Sequence, residues 1–569
     1  MKVGAIILAR LTSSRLPGKG LRKVNGKEIL LRIVDALKLS KEVDEIIIAT
    51  SGLPSDDELA KFADKHGVNA FRGSLDNVAA RFLGAAEIYE LDYAIRINGD
   101  NLFVNPWLVD QVCEGLRSGY DFVSNVKGRT FPKGMSVEGV KTEVFREQFS
   151  CFDVESDFEH VMPYFYRNSD ALKTLFIKNT DYPVAGGRQI AIDTQRDFLL
   201  AHKVLATVKQ NCYKINLEKL INEFKFQENK MNFVGQHGPL LIAEIGGNHE
   251  GNFEYAKKLT QLAIESDSDF IKFQIYSGNT LVNPVESPER HKHFKKFELR
   301  KEQYRELAQM VTNAGKQFMA SIWDEGMIDW VDDYNPIYKI GSGDLLAWPL
   351  LKKVAKRGKP IILSTGLATE EEVVATVSYI RQCNSLYDDS DYLSVLQCTS
   401  MYPIPKSAAN LDVMLRLNEL TNTTMGYSDH TEGTGALKVA VAMGAQVLEF
   451  HFTDEREGKE FRDHKVSITK DEVLDLIDHI KMVNILKGEQ TKQPVAIEIE
   501  NGHVESFRRA VYPARDIPKG TLITDADLVI LRPSHGLSSR YYESLIGTTS
   551  GKDLTQYEEL SLDYFTLNK

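Results

Sequence analysis

Between residues 240 and 451 the sequence repeats one arrangement: an apolar run ending in a side chain able to do chemistry. The ends are Glu244; Lys272 and Gln274; Ser321 and Asp324; Lys339 and Ser342; Ser364 and Thr365; Thr399 and Ser400; Ser428, Asp429 and His430; and Glu449 with His451. Any one of these alone is more often a solvated loop residue or a satisfied hydrogen bond. Brought together they have a joint use. Two lysines with several hydroxyls suit a phosphorylated anion, the ammonium acting as a point charge and Ser or Thr as donors. Two histidines from adjacent runs could hold one divalent metal. Zinc is less apt, because no third Cys or His ligand is evident.

A second group lies at the start of the chain. KVGAIILAR runs into LTSSRLPGKGL, a basic loop of small residues in which Arg10, Arg15 and Lys19 could cradle a triphosphate. It is not a Walker-type loop, so a solvated basic loop stays open as the plainer alternative. RINGDNLFVNP puts Asp100 just past an apolar strand, and IAIDTQRDF puts Asp193 in a similar place. Paired carboxylates suit Mg²⁺ beside a nucleotide, whereas an isolated strand-end Asp is more often a cap or turn residue. The order of the three motifs favours the nucleotide.

Elements must position these residues. From Lys2 to about Val208, strand-like runs (KVGAIIL, DEIIIAT, YAIRIN, YDFVSN) alternate with amphipathic helices, the pattern of a wound α/β sheet. A charged helix and a Gly-containing connector follow. Eight strands, each trailed by helix-compatible sequence, then read LLIAEIG, FIKFQIY, QFMASIW, PIYKIGS, PIILSTG, YLSVLQC, TTMGYSD and QVLEFHF. Eight β-then-α units predict a (β/α)₈ barrel, in which chemistry sits at the C-terminal strand ends. From about Asn501 the chain has short strands, Pro and Gly turns and little helix. The expected division is 1–208 for a Rossmann-like nucleotidyltransferase sheet, 209–236 for a linker, 237–498 for the barrel and 501–569 for a small last domain.

Composition bounds the function. With 569 residues the chain exceeds one core, and 43% hydrophobic with 26% charged residues is ordinary globular usage. A net charge of -11 argues against a nucleic-acid partner. No apolar run approaches a membrane span and the first residues lack a signal-peptide layout, so a cytoplasmic protein is expected. Cys113, Cys151, Cys212, Cys383 and Cys398 are scattered without a CxxC pair and read as reduced packing residues.

AEIGGNHEG at 243–251, KFQ at 272–274, KIGSGD at 339–344, CTSMYPIP at 398–405, GYSDHTEG at 426–433, EFHFT at 449–453 and DHKVS at 463–467 together resemble the N-acetylneuraminate (sialic acid) synthase family. The resemblance runs in order from about 237 to 569 and includes LRPSHGLS at 531–538, which resembles that family's closing antifreeze-like (SAF) domain. It implies condensation of phosphoenolpyruvate with an N-acetylmannosamine-like sugar, releasing phosphate. It further implies that Lys272, Lys339, Ser342 and Ser428 hold phosphoenolpyruvate, that His430 and His451 bind Mn²⁺ or Mg²⁺, and that Gln274, Tyr402, Asp463 and Glu244 meet the sugar. Glu244 or Glu449 would transfer protons. Arg532 would reach a neighbouring subunit's site, implying a domain-exchanged homodimer. Met401, Asp344 and Arg462 depart from the commonest family wording, which leaves the acceptor open.

The opening motifs, with RGSLDNVAARF at 72–82 and EHVMPYFY at 159–166, resemble the acylneuraminate cytidylyltransferase family, in particular its spore-coat polysaccharide branch. This implies transfer of CMP from CTP to the sugar acid, with Arg10, Arg15 and Lys19 on phosphates and Asp100 and Asp193 on Mg²⁺. Gly20 stands where the sialic acid type usually has Asn. The two resemblances predict consecutive steps on one chain. The alternative is an active barrel with a first domain that only senses nucleotide or CMP-sugar.

Overall fold

The structure is a computed structural model describing residues 1–208, 216–488 and 492–566. It divides into two units, Met1–Ile485 and Leu486–Lys569.

The first unit begins with a seven-stranded sheet in the order Asn69–Gly73, Glu45–Ser51, Val3–Leu8, Tyr93–Asn98, Glu138–Lys141, Phe122–Ser124, Thr174–Phe176. The four strands from Asn69–Gly73 to Tyr93–Asn98 pair in parallel; Glu138–Lys141 runs antiparallel to both of its neighbours. Val3, Ala5 and Ile7 face one helical layer and Ile6 the other, the two-sided burial expected of a wound sheet. IAIDT, read above as a strand, is not one. Ile190 and Ala191 donate to the Lys133 carbonyl and Ile192 to that of Asp100, so the segment lies extended against two loops rather than in a ladder.

Within the segment assigned to the linker, residues 209–215, and Cys212 with them, lie outside the described residues. The helix Leu217–Glu228 is charged on its outer face, yet Leu220, Ile221 and Phe224 enter the core of the first sheet. Met231 belongs to that core as well, while Phe233 plugs the base of the next domain.

That domain is a closed parallel barrel of eight strands: Gly238–Glu244, Phe270–Ile275, Gln317–Ile322, Tyr338–Ile340, Ile361–Ser364, Leu393–Cys398, Thr424–Asp429 and Val447–His451. The last pairs with the first from Leu240↔Val447 to Glu244↔His451. Period-two alternation stacks the interior in layers. Ile242, Phe270, Met319, Ile337, Ile362, Leu396 and Val447 form an apolar layer low in the barrel. Two residues further along their strands come Glu244, Lys272, Ser321, Lys339, Ser364, Cys398 and Glu449, a polar layer standing on an apolar floor. Gly426 belongs to the lower layer, where a Cβ would come within 2.4 Å of Leu396, so no larger residue fits there.

The second unit carries the antiparallel pair Ala510–Pro513 and Leu528–Leu531 over a small core of Val511, Ile517, Ile523, Leu528, Leu537, Leu545, Leu554 and Leu560. Asp527, buried, takes the Arg515 guanidinium. Cys113, Cys151, Cys383 and Cys398 are free thiols. No helix among the described residues is long and apolar enough to cross a membrane.

Candidate functional site

The barrel's polar layer opens into a cavity of about 680 Å³ at the C-terminal strand ends. Strand register explains its composition. Glu244 stands opposite Lys272 on one side and His451 on the other, Gln274 opposite Ser321, and Ser428 opposite Glu449.

Lys272 and Lys339 are 2% and 3% exposed, so each ammonium must be fully partnered. Lys272 pairs with Glu244, lies 3.1 Å from Glu449 and donates to Ser321 at 3.0 Å. Lys339 lies 3.1 Å from the other Glu449 oxygen and donates to Ser364 at 2.8 Å. Glu449 therefore bridges the two lysines. Burial opposes its ionisation, but Lys272 and Lys339 outweigh that and hold its carboxyl below the ordinary range. Glu244 goes the other way: burial, reinforced by the Glu449 charge, raises it despite Lys272. One carboxylate is thus kept ionised and its neighbour kept ready to carry a proton, the division that acid–base chemistry uses. Burial also lifts Asp344 to about 6, against the pull of Lys339.

Ser342 accepts from the Gly366 backbone N–H at 3.0 Å. A Cβ on Gly366 would stand 2.2 Å from Ser400 Oγ and 2.8 Å from Ser342 Oγ, so only glycine leaves this hydroxyl cradle open.

The two histidine rings are 5.3 Å apart, with the Tyr402 ring 4.1 Å from His430 and 5.5 Å from His451. His430 Nδ1 lies 2.7 Å from the Thr399 carbonyl, to which it donates, leaving Nε2 as the nitrogen a metal would meet. His451 Nδ1 is buried with no hydrogen-bond partner among the described residues, and burial, followed by the His430 and Lys272 charges, keeps its ring neutral. The two facing imidazoles suit one imidazole-tolerant divalent ion such as Mn²⁺; burial lowers His430, but Cys398 and the Thr399 carbonyl outweigh it and raise the ring, so binding there would release a proton. Among the described residues no group of three His, Cys, Asp or Glu could hold a metal by itself, so the remaining coordination positions would fall to substrate oxygens or water.

Of the residues singled out from the sequence, Glu244, Lys272, Gln274, Lys339, Ser342, Tyr402, Ser428, His430, Glu449 and His451 all line this cavity. Asp463 does not; its buried carboxylate lies 3.3 Å from Nε of Arg462, which does. Arg532 belongs to the second unit, exposed, with its guanidinium 6.0 Å from the Phe507 ring. The sequence reading missed Leu281, Val282, Arg290, Phe294 and Trp323 along the cavity wall. Leu281, Arg290 and Phe294 come from two helices, Gly278–Leu281 and Pro288–Phe297, inserted between the second strand and its long helix Lys301–Asn313, and Val282 directly follows the first of them. The basic run RHKHFKK gave little periodic signal for them.

A second cavity, about 950 Å³, opens beside the strands Val3–Leu8 and Tyr93–Asn98 and is lined by Arg10, Arg15, Lys19, Arg81, Arg96 and Asp100 among others. Gly18, at φ 67°, turns the basic loop back so that its N–H meets the Leu11 carbonyl, and Leu11 is held by Asp56 at 2.8 Å. Lys19 Nζ sits 2.7 Å from Asp100 and 3.2 Å from Asp193, and Arg15 is 3.3 Å from Asp193. One ammonium bridging both carboxylates shows that they can share a single cation, which is the fit Mg²⁺ would need. Asp193 itself is not part of the cavity lining. Arg81 and Arg96, whose Nε atoms are buried without hydrogen-bond partners among the described residues, were not foreseen.

The chain matches three family descriptions: "Cytidylyltransferase" over residues 4–271, "NeuB family" over 259–492 and "SAF domain" over 508–556. The N,N'-diacetyllegionaminic acid synthase of Legionella pneumophila is 33% identical over 330 residues, 55% of this chain and 91% of that one. The human N-acetylneuraminate-9-phosphate synthase is 32% identical over 303 residues, 51% of this chain and 82% of its own length. In fold, the spore coat polysaccharide biosynthesis protein E of Chromobacterium violaceum superposes with a TM-score of 0.50 at 23% identity, over 57% of this chain and 98% of that one. The chain belongs to the NeuB family of sialic-acid-type synthases, with a cytidylyltransferase domain ahead of the barrel and a SAF domain behind it.

Proposed function

We propose that this chain makes a nonulosonic (sialic-type) acid in its barrel and activates the same acid as its CMP derivative in its first domain. The observation that carries the first half is the pair of buried lysines bridged by Glu449 beside two facing histidines.

In the condensation, C3 of phosphoenolpyruvate bonds to the aldehyde carbon of an open-chain, N-acetylmannosamine-like sugar, the aldehyde oxygen gains a proton, water adds at C2 and phosphate leaves. Lys272, Lys339, Ser342 and Ser428 bind the carboxylate and phosphate of phosphoenolpyruvate. Glu244, the carboxyl inclined to hold a proton, supplies it to the aldehyde oxygen. Glu449 keeps both ammoniums fixed, and Gln274, Tyr402 and Asp463, the last through Arg462, orient the sugar. Mn²⁺ or Mg²⁺, held by His430 and His451, would supply Lewis-acid polarisation of the aldehyde. Arg532 is assigned to the barrel mouth of a second copy, in a domain-exchanged homodimer.

In the transfer, the acid's anomeric oxygen attacks the α-phosphorus of CTP and pyrophosphate leaves. Arg10, Arg15 and Lys19 neutralise the phosphates, with Lys19 moving from the carboxylates to the nucleotide. Asp100 and Asp193, once free of Lys19, would hold Mg²⁺, which would supply charge neutralisation on the triphosphate.

Two releases test this separately. Phosphate should be freed from phosphoenolpyruvate only when an acceptor is present, and pyrophosphate from CTP only when the acid is present. Pyrophosphate release unchanged in Asp100→Asn would overturn the metal assignment, and no pyrophosphate release from the wild type would leave the first domain a sensor of nucleotide or CMP-sugar.

A further inference from the structure

The turn that carries Asp193 is braced from outside the first sheet. Resting on the nucleotidyl transfer proposed above, we propose that Arg196 is a positioning residue for that reaction. It ties the Asp193 turn to the hairpin at the base of the barrel, so that the barrel steadies one of the two carboxylates assigned to Mg²⁺.

Asp193 stands at the edge of its site. It is outside the cavity lining and meets it through Lys19, 3.2 Å away, and Arg15, 3.3 Å away. Asp100 follows the sheet strand Tyr93–Asn98, whereas Asp193 ends an extended segment that belongs to no strand ladder. Its place is therefore set by what comes next, the helix Gln195–Val208. Thr194 Oγ1 accepts from the Asp197 N–H at 3.1 Å, and the Asp197 carboxylate takes the N–H of Thr194 at 2.8 Å and that of Asp193 at 3.1 Å. This is a capping box extended by one residue, so the Asp193 backbone moves with the first turn of the helix.

That first turn is tied in two directions. Gln195, buried, accepts from Arg22 at 2.9 Å, and the Arg22 guanidinium lies 4.1 Å over the Phe198 ring. Arg22 is three residues past Lys19, so the basic loop shares this anchor. Arg196 reaches the other way. Its Nη1 donates to the carbonyls of Met231, at 2.8 Å, and Val234, and its backbone N–H to that of Gln236 at 3.4 Å.

The hairpin it grips belongs to the barrel. Val234–Gly235 pairs antiparallel with Gly238 and Pro239, where the first barrel strand starts. Asp269, just before the second strand, accepts the N–H of Gln236 at 2.8 Å and of Leu241 at 2.9 Å. His237 pairs with Asp267 at 3.0 Å, and Asn484, on the helix Lys470–Lys487, donates to the His237 carbonyl at 3.0 Å. A Cβ on Gly235 would fall 2.2 Å from Asp269 Oδ2 and 2.3 Å from the Pro239 carbonyl, so the hairpin is seated closely against its clamp. Burial opposes the Arg196 charge, while Glu228, Asp269 and Asp197 support it. Arg196 thus stands between the carboxylate that holds the hairpin and the one that holds the Asp193 turn.

The test compares Arg196→Met, which keeps the aliphatic stem and removes the donors, with Arg196→Lys, whose ammonium has donors for both carbonyls. In Arg196→Met the Mg²⁺ needed for half-maximal pyrophosphate release should rise about 10-fold or more, the usual effect of losing a group that orients a metal ligand. At limiting Mg²⁺ the rate should fall about 100-fold, as for a misplacement of about 1 Å. Saturating Mg²⁺ should recover part of it with little change in the KM for CTP. Arg196→Lys should restore most of the loss, and phosphate release from phosphoenolpyruvate should be unchanged in both. In the free protein, hydrogen exchange at the Asp193 and Thr194 amides should quicken in Arg196→Met while the strand Val3–Leu8 keeps its protection. A Mg²⁺ requirement and amide protection equal to the wild type's overturn the assignment. A rate lowered by one factor at every Mg²⁺ concentration, and not rescued by Arg196→Lys, also overturns it, since that marks a role in folding alone. A wild-type chain that releases no pyrophosphate overturns the transfer itself, and this role with it.

Discussion

Glu449→Gln is the perturbation that reads the barrel site most directly. The substitution keeps shape and a hydrogen-bonding oxygen but removes the charge shared by Lys272 and Lys339, each 3.1 Å from one of its oxygens. Removing one partner of a buried ion pair costs about 3–5 kcal/mol, because the other charge stays buried and uncompensated. Lys272 retains Glu244, so the loss falls mainly on Lys339, and the lower end, about 3 kcal/mol, is expected. Urea unfolding of the full chain measures this, with pyrophosphate release during the titration reporting the first domain separately. The same arithmetic requires inorganic phosphate, an anion able to sit between two unpaired ammoniums, to raise the variant's midpoint by more than the wild type's. A variant as stable as the wild type, with no larger response to phosphate, would refute the bridging role of Glu449.

Other outcomes follow from the same geometry. Gly366→Ala puts a methyl 2.2 Å from Ser400 Oγ and 2.8 Å from Ser342 Oγ; phosphate release should fall about 100-fold, as expected for a misplacement of about 1 Å, while pyrophosphate release stays intact. Asp100→Asn should lower pyrophosphate release by about 100-fold, the several kcal/mol a catalytic metal supplies, and leave phosphate release unchanged. At the barrel base, Asp267 is held down to about 2: burial opposes this, but His237 at 3.0 Å and Lys316 at 2.6 Å outweigh it. A depressed carboxyl stabilises the fold above its unfolded value near 4, and the stabilisation is lost as pH falls through about 2. Asp267→Asn should therefore cost about 1 kcal/mol at neutral pH, reduced by solvent screening of this part-exposed group, and nothing below pH 2 in acid unfolding curves. If Arg532 serves a second copy, Arg532→Ala and Lys339→Met chains, each inactive in condensation alone, should regain phosphate release when mixed.

Much of the barrel was legible because two periods coincide in its strands. In FIKFQIY the residues facing the helices are apolar, and the inward ones change from Phe270 to Lys272 and Gln274 as the strand rises, so the polar end stands out against an otherwise buried run. Asp463 was less legible: it lies on a one-turn helix, Asp463–Val466, and reaches the cavity only through Arg462. The helix Pro288–Phe297 carries two phenylalanines among six lysines, arginines and histidines, so its role comes from where the barrel places it and from no pattern of its own. Leu217–Glu228 shows the opposite case. Its charges suggested a connector, but Leu220, Ile221 and Phe224 fall on one face, enough to join a core. Lys19 was seen as a phosphate ligand; that it bridges Asp100 and Asp193 needed three distant segments folded together.

The central claim is that one chain both builds and activates its acid. Purified protein given phosphoenolpyruvate, CTP, Mn²⁺ or Mg²⁺ and a panel of N-acetylmannosamine-like sugars should yield, by mass spectrometry, a product with the mass of one acceptor extended by a pyruvyl unit and joined to CMP, alongside phosphate and pyrophosphate. The extended acid accumulating without any CMP-linked mass, with CTP intact, would contradict it.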